Sequence, residues 1–367
     1  MSLLLRILRQ PDEARRLTPA EWDLLVRQTR HANLLGRLYH RLKAAGVEAD
    51  MPARPRNHLL SGAVMAARQH HSIRHEALFL RDGLARAGLP LILLKGAAYV
   101  MAGLPAAQGR LFADVDILVP RARLSDAESA LMLTGWTSST LDAYDQRYYR
   151  QWMHELPAMQ HMFRGTALDV HHTILPPTSR LKPDASLLIE DSIEVGGLPG
   201  VRTLSLADLI LHSAAHLFHE GEPDNLLRDL TDLDLLLRRL GEVDNRWDTL
   251  LARAIRLELD GPLRLALRYT HSLLLTPVPL HILDALDCLK GGQPVLDAMY
   301  ERVLRPQHPS TRDWLTPAAR KLLYVRAHWL RMPPHLLAYH LAHKAIFPPK
   351  TRSITAAADA VNANKAA

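Results

Sequence analysis

Two aspartates, Asp114 and Asp116, interrupt the apolar run "ADVDILVP" (113–120), which follows a shorter apolar run ending in Lys95-Gly96, "LILLKG" (91–96). On a strand, residues two apart project to the same side, so this spacing throws both carboxylates one way while Val115 and Ile117 pack elsewhere. Two like charges on one face repel, and burying them without a counter-charge costs several kcal/mol. Such a pair either sits at a sheet end in water or holds a cation. Oxygen ligands of this kind suit Mg²⁺, which keeps waters and completes its shell from substrate phosphates. Asp169, in "ALDVHH" (167–172), is the candidate third carboxylate, because the apolar Leu168 and Val170 point away from it. Three such groups would make a two-metal site, with two Mg²⁺ ions expected.

Other residues join as candidates on weaker patterns. The chain has eight lysines against 37 arginines, and Lys95 is the one lysine between Lys43 and Lys182. An ammonium on a flexible stem serves phosphate differently from a planar guanidinium. His171, two after Asp169 on the same strand face, could touch a nucleotide or simply pack. In "LILHSAAHLFHEG", the i, i+4, i+7 spacing predicts that His212, His216 and His219 share a helical face. The stretch lacks the glutamate of the H-E-x-x-H zinc motif and an obvious third ligand, so metal binding by this face is the minor reading beside helix histidines satisfied in place and acceptor-site residues. Asp229 and Asp234 read as a solvated face alongside Arg228, Arg238 and Arg239.

The elements that must position these groups are legible as changes of period. Residues 1–88 read as helical: "PAEWDLLVRQTRHANLLGRLYHRLKAAG" runs to Gly46, and a second pattern begins at Ser61 and ends at Gly88. Short apolar strands follow at 89–94 and 113–120, with a short helix over "GAAYVMAG" between them. A helix over "ARLSDAESALMLTGW", a possible strand in "WTSST", two strands around Arg164-Gly165 and a hairpin around Gly196, Gly197 and Gly200 complete the middle region. A helix that Ser205 can cap then opens a helical region. The predicted class is α+β: a small mixed sheet flanked by helices. The expected divisions are an N-terminal helical region (1–88), a sheet domain (89–204), a C-terminal helical domain (205–350) and a flexible tail (351–367).

Composition narrows the classes. At 367 residues, 48% hydrophobic and 23% charged, the chain can bury an ample core. The opening "MSLLLRILRQPDEARR" is charged too early for a secretory signal, and no apolar run spans a bilayer, so a cytoplasmic location without membrane partners is expected. Cys288 stands alone, which excludes an internal disulfide and a cysteine metal cage. The net charge of +7 is spread along the chain with no basic arm, and aromatics are 5%, so nucleic acid is not an expected partner.

Taken together, "LILLKGAAYV", "GRLFADVDILV" and "ALDVHH" resemble the nucleotidyltransferase superfamily built on the polymerase-beta-like palm, specifically a bacterial branch with Lys-Gly in place of the usual Gly-Ser. The resemblance covers roughly residues 85 to 175 and extends more loosely to about 240. It implies that Asp114 and Asp116 are paired metal ligands and Asp169 the third. It implies that Gly96 lets a helix N-terminus approach the phosphates, with Lys95 and Arg110 supplying positive charge. It places His212 and His216 on a His-x-x-x-His helix at the acceptor site, with Asp232 as the acidic residue that follows. The implied reaction transfers a nucleoside monophosphate from an NTP to a hydroxyl of a small molecule or protein. Addition of nucleotides to an RNA end and a non-catalytic nucleotide-binding role are the competing expectations.

Overall fold

A computed structural model describes residues 2–138, 143–220, 225–242, 246–288, 293–333 and 335–336. The expected tail at 351–367 and the segment "LAYHLAHKAIF" lie outside the described residues. The fold is α+β, with one seven-stranded mixed sheet flanked by helices.

Four helices come first: α1 (Leu3–Arg9), α2 (Pro19–His31), α3 (Leu35–Ala44) and α4 (Ala53–Ala85). The single pattern expected from 19 to 46 is thus two helices. Asn33 breaks it by taking a left-handed backbone at φ 55°, a conformation asparagine tolerates better than most residues. The 33-residue α4 starts earlier than expected, directly after Pro52. Its buried stripe runs Leu59, Ala63, Ala66, Ile73, Ala77, Leu80, Leu84, the spacing of one helical face. Polar Gln69 and His70 fill the gap in that stripe, half-buried.

The sheet is assembled from β1 (Leu91–Leu93), β2 (Asp114–Leu118), β3 (Trp136–Ser138), β4 (Met159–His161), β5 (Ala167–His171), β6 (Ile193–Glu194) and β7 (Val201–Thr203), in the order β3-β4-β5-β2-β1-β7-β6. β2 lies in the middle, antiparallel to β1 and parallel to β5. The expected hairpins are present as β4–β5 and β6–β7. Short helices α5 (Lys95–Met101), α6 (Leu124–Leu133), α7 (Ala143–Trp152) and α8 (Ala185–Glu190) fall between strands.

After β7 the described chain is helical. Ser205 caps α9 (Leu206–Ala215) by accepting from the Asp208 N–H, as its sequence position suggested. Then come α10 (Leu226–Leu240), α11 (Arg246–Arg256), α12 (Asp260–Leu274), α13 (Leu280–Ala285), α14 (Pro294–Val303) and α15 (Thr316–Arg331). A contiguous apolar core runs from Leu4 to Leu323 and includes every central strand. Cys288 is buried in it. No helix among the described residues is long and apolar enough to cross a membrane.

Candidate active site

The apolar residues of β2 and β5 bury Val115, Ile117, Leu168 and Val170, which leaves the alternate positions to the polar face. Parallel pairing sets Asp116 directly beside Asp169 and Asp114 beside Ala167. Asp116 is the deepest of the three, only 4% exposed, while Asp114 and Asp169 are half-buried.

Two neighbours meet the Asp116 carboxylate. Lys95 Nζ donates to Oδ1 at 3.0 Å, and His171 Nε2 lies 2.9 Å from the same oxygen. Burial alone would raise the Asp116 carboxyl, but Lys95 and the His171 hydrogen bond outweigh it and hold the group far below the ordinary carboxylate range. The other two carboxyls go the opposite way. Asp114 is raised by burial and by Asp116, against the pull of Lys95. Asp169 is pushed up to about 8 by burial, then by Glu155, Asp116 and Asp114. Burial also drives His171 down to about 4, so the ring is neutral.

Lys95 reaches this position from a left-handed backbone (φ 44°) at the first residue of α5, just after β1 ends. The Leu94 N–H bonds to the Asp116 carbonyl at 2.9 Å, which fixes that corner against β2. Gly96 follows. A Cβ there would lie 2.5 Å from Arg110 Nη1 and 2.8 Å from a Phe112 ring carbon, so a close side-chain approach already requires glycine.

Arg110 is not a surface arginine. Its guanidinium is buried, and Nε donates to Asp232 Oδ2 at 2.7 Å. Arg37, from α3, donates to Asp232 Oδ1 at 2.5 Å and to Thr231 Oγ1 at 2.7 Å, and also to the Ala106 carbonyl. Burial opposes the Asp232 charge, but Arg110, Arg37 and Arg228 together hold its carboxyl low. Arg110 is thereby tied to α10 and stacks over Tyr99 and Phe112. Asp232 reaches the site through Arg110.

The loop that feeds β2 is held from α4. Gln69 clamps Phe112 on both sides, accepting from its N–H at 3.2 Å and donating to its carbonyl at 2.5 Å. His70 Nε2 meets the Arg110 carbonyl at 2.8 Å. Below them three glycines converge: a Cβ on Gly109 would lie 2.2 Å from the Gly36 carbonyl carbon, and one on Gly62 2.8 Å from the Gly36 nitrogen. Gly109 also has φ +66°. α3, α4 and the site loop therefore touch backbone to backbone.

The sequence expectations separate accordingly. Asp114, Asp116, Asp169, His171 and Lys95 come together along the central strands β2 and β5, and Arg110 and Asp232 form a buried ion pair with Arg37. The α-helical spacing expected for His212, His216 and His219 does not run through: α9 stops at Ala215, and His216–Glu220 continues it as a π turn, whose wider spacing shifts His219 from its expected place on the stripe. His212 is buried beside Ser213, whose hydroxyl meets Tyr99 of α5, and His216 is half-buried. Asp229 and Asp234 are not a solvated face either. Their side chains are 14% and 13% exposed, pairing Arg228 with Asp229 and Arg238 with Asp234.

Sequence reading missed Arg37, Gln69, His154 and Glu155. Glu155 bridges to His171 in the backbone and places Oε2 3.4 Å from His171 Nδ1. It stands in a loop with no periodicity, where only residue type could mark it. Gln69 and His70 did carry a signal, as polar residues on an otherwise apolar helical stripe.

An α+β fold whose central parallel strands set carboxylates side by side, with a lysine on one of them, is suited to polyphosphate chemistry. The family described as "Uncharacterised nucleotidyltransferase" matches residues 18–275, from the cap of α2 through the end of α12 and including all seven strands, and the chain belongs to that family. Membership implies nucleotidyl transfer with a nucleoside triphosphate substrate, and usually a divalent metal. No curated protein and no solved structure matches the chain.

Proposed function

We infer that the protein transfers a nucleoside monophosphate from an NTP to a hydroxyl of a small-molecule or protein acceptor, with release of pyrophosphate, on a palm of the polymerase-beta type. The observation that carries this reading is the registered pair Asp116 and Asp169 on parallel strands, with Asp114 two residues before Asp116. Lateral pairing forces carboxylates together, and burial, then Glu155, Asp116 and Asp114, raise the Asp169 carboxyl against the pull of Lys95. An all-oxygen set with surplus charge fits Mg²⁺, with Asp114, Asp116 and Asp169 as its holders. When bound, the ion would neutralise charge on the triphosphate and polarise the α-phosphorus.

The chain's own groups supply the rest. Asp169 is the proton acceptor for the acceptor hydroxyl, whose oxygen bonds to the α-phosphorus as the bond from that phosphorus to the leaving pyrophosphate oxygen breaks. Lys95 sits where its ammonium can pass from Asp116 to a phosphate oxygen. Arg110, clamped by Asp232, adds fixed positive potential beside Gly96. His171 orients Asp116, and the helical regions on either side of the sheet select the acceptor, with His212 and His216 as its candidate contacts. The three-part division at 88 and 204 follows the same logic, as a sheet unit between two helical regions in chain order, which Arg37 and Asp232 join to each other.

Calorimetric titration of each NTP, with and without Mg²⁺, tests this reading in the wild type and in Asp114→Ala/Asp116→Ala. Mg²⁺-dependent binding that disappears in the double variant supports it. A folded wild type that binds no NTP overturns it.

A further inference from the structure

Beside the three aspartates lies a second group, of which the transfer reaction uses only the Nε2 side of His171. His171 is 1% exposed, and its Nε2 faces Asp116 Oδ1 at 2.9 Å. In the neutral ring the one N–H therefore belongs on Nε2, where a carboxylate accepts it, and Nδ1 carries a bare lone pair. That Nδ1 is buried, has no hydrogen-bond partner, and lies 3.4 Å from Glu155 Oε2. A lone pair facing a carboxylate oxygen at that distance is repulsive unless an electron-pair acceptor lies between them.

A third donor converges on the same point. His154 Nε2 is 3.9 Å from the same Glu155 oxygen, and the His154 and His171 rings are 5.0 Å apart between centroids. One ligand atom from each of the three lies within 4.8 Å of the other two. The backbone holds them there. Glu155 bridges to His171, the His172 N–H bonds to the His154 carbonyl at 2.8 Å, and the Leu156 N–H bonds to the Val170 carbonyl at 2.9 Å. The segment is thus laid along the end of β5.

We propose that His154, Glu155 and His171 bind a borderline divalent transition ion of the zinc class, at a site separate from the all-oxygen set of Asp114, Asp116 and Asp169. Imidazole nitrogens favour such ions over Mg²⁺. Bonds of about 2.0–2.1 Å to a tetrahedral ion put ligand atoms roughly 3.3 Å apart, and Glu155 Oε2 already lies 3.4 Å from His171 Nδ1 and 3.9 Å from His154 Nε2. The outer carboxylate that usually receives the other N–H of a ligating histidine is also in place, as Asp116. The Glu155 side chain is 18% exposed, so the group reaches solvent on that side. Because Asp116 is shared, an ion on Nδ1 would lock the ring proton on Nε2 and tie this site to the nucleotide site through one imidazole.

The test uses the full chain, freed of metal by a chelator and titrated with Zn²⁺ by calorimetry in the presence of excess Mg²⁺. One equivalent is expected to bind, with Mg²⁺ not competing. His154→Ala and the isosteric Glu155→Gln should each weaken it by about tenfold or more, while Asp114→Asn leaves it within roughly threefold. Co²⁺ in the wild type is expected to show the intense visible absorption of a four-coordinate nitrogen-containing site, a readout that needs no variant to fold. Absence of stoichiometric Zn²⁺ binding, only the weak spectrum of six-coordinate Co²⁺, unchanged affinity in both folded ligand variants, or loss in Asp114→Asn would each overturn the proposal. No nucleotide enters the experiment, so its failure leaves the transferase reading standing.

Discussion

Lys95 Nζ and Asp116 Oδ1 stand 3.0 Å apart at the corner between β1 and β2, and the ammonium also acts electrostatically on Asp114 and Asp169. One ammonium thus serves three carboxylates, with Arg110 also acting on Asp114. Lys95→Ala should lower metal-free stability by about 1–3 kcal/mol, because Asp116 keeps its burial and loses a charged donor. Mg²⁺ should then raise the melting temperature more in the variant than in the wild type. Thermal melts with and without Mg²⁺ measure both quantities.

Asp169 makes the metal-free protein sensitive to pH. Its carboxyl titrates near 4 in the unfolded chain and is pushed up to about 8 when folded. The unfolded state therefore loses its proton first, and the stability tied to this proton is full below pH about 4 and lost as pH rises through about 8. Asp169→Asn should be more stable than wild type at pH 8, by on the order of 1–3 kcal/mol after discounting for partial exposure, and nearly equal at pH 4. Denaturant titrations in chelator at the two pH values decide it. A gap that widens toward acid would contradict the assignment.

The Asp232 carboxylate neutralises two buried arginines, each 7% or less exposed at the side chain. Asp232→Ala leaves Arg37 and Arg110 without it and should cost about 3–5 kcal/mol. If the variant folds, NTP affinity should fall as well, since Arg110 is then free to leave its place beside Gly96. Urea unfolding and nucleotide titration of the same preparation separate the two effects.

The backbone contact between Gly109 and Gly36 should be intolerant of a methyl group. Gly109→Ala places a Cβ 2.2 Å from a backbone carbon at φ +66°, and should cost about 3 kcal/mol or more. Gly103 has a similar φ of +64° but open space around it, so Gly103→Ala should cost only about 1–2 kcal/mol. Comparing the two unfolding curves isolates the steric part.

Much of the site was legible because strand chemistry is local. The alternation in "ADVDILVP" and "ALDVHH" is enough to set Asp114, Asp116, Asp169 and His171 on polar faces, and the Lys-Gly corner follows from the end of a short apolar strand. The α+β class was legible for the same reason, as a change of period from 3.6 to 2 and back. Helix ends were harder to read. The break at Asn33 and the π turn at His216 depend on which neighbours a residue packs against, so a run of well-spaced apolar residues concealed the first and a regular histidine spacing concealed the second.

The sequence by itself determined which strands carry carboxylates and which way those carboxylates face, because side-chain alternation is a property of a single strand. Only the tertiary structure decided that Asp116 lies beside Asp169, that Arg110 belongs to Asp232 and Arg37, and that His154 and Glu155 stand against His171. Each of these pairs residues far apart in the chain or joins a loop to a strand. Ion pairing and burial depend on distance in space, and neither composition nor periodicity encodes that distance.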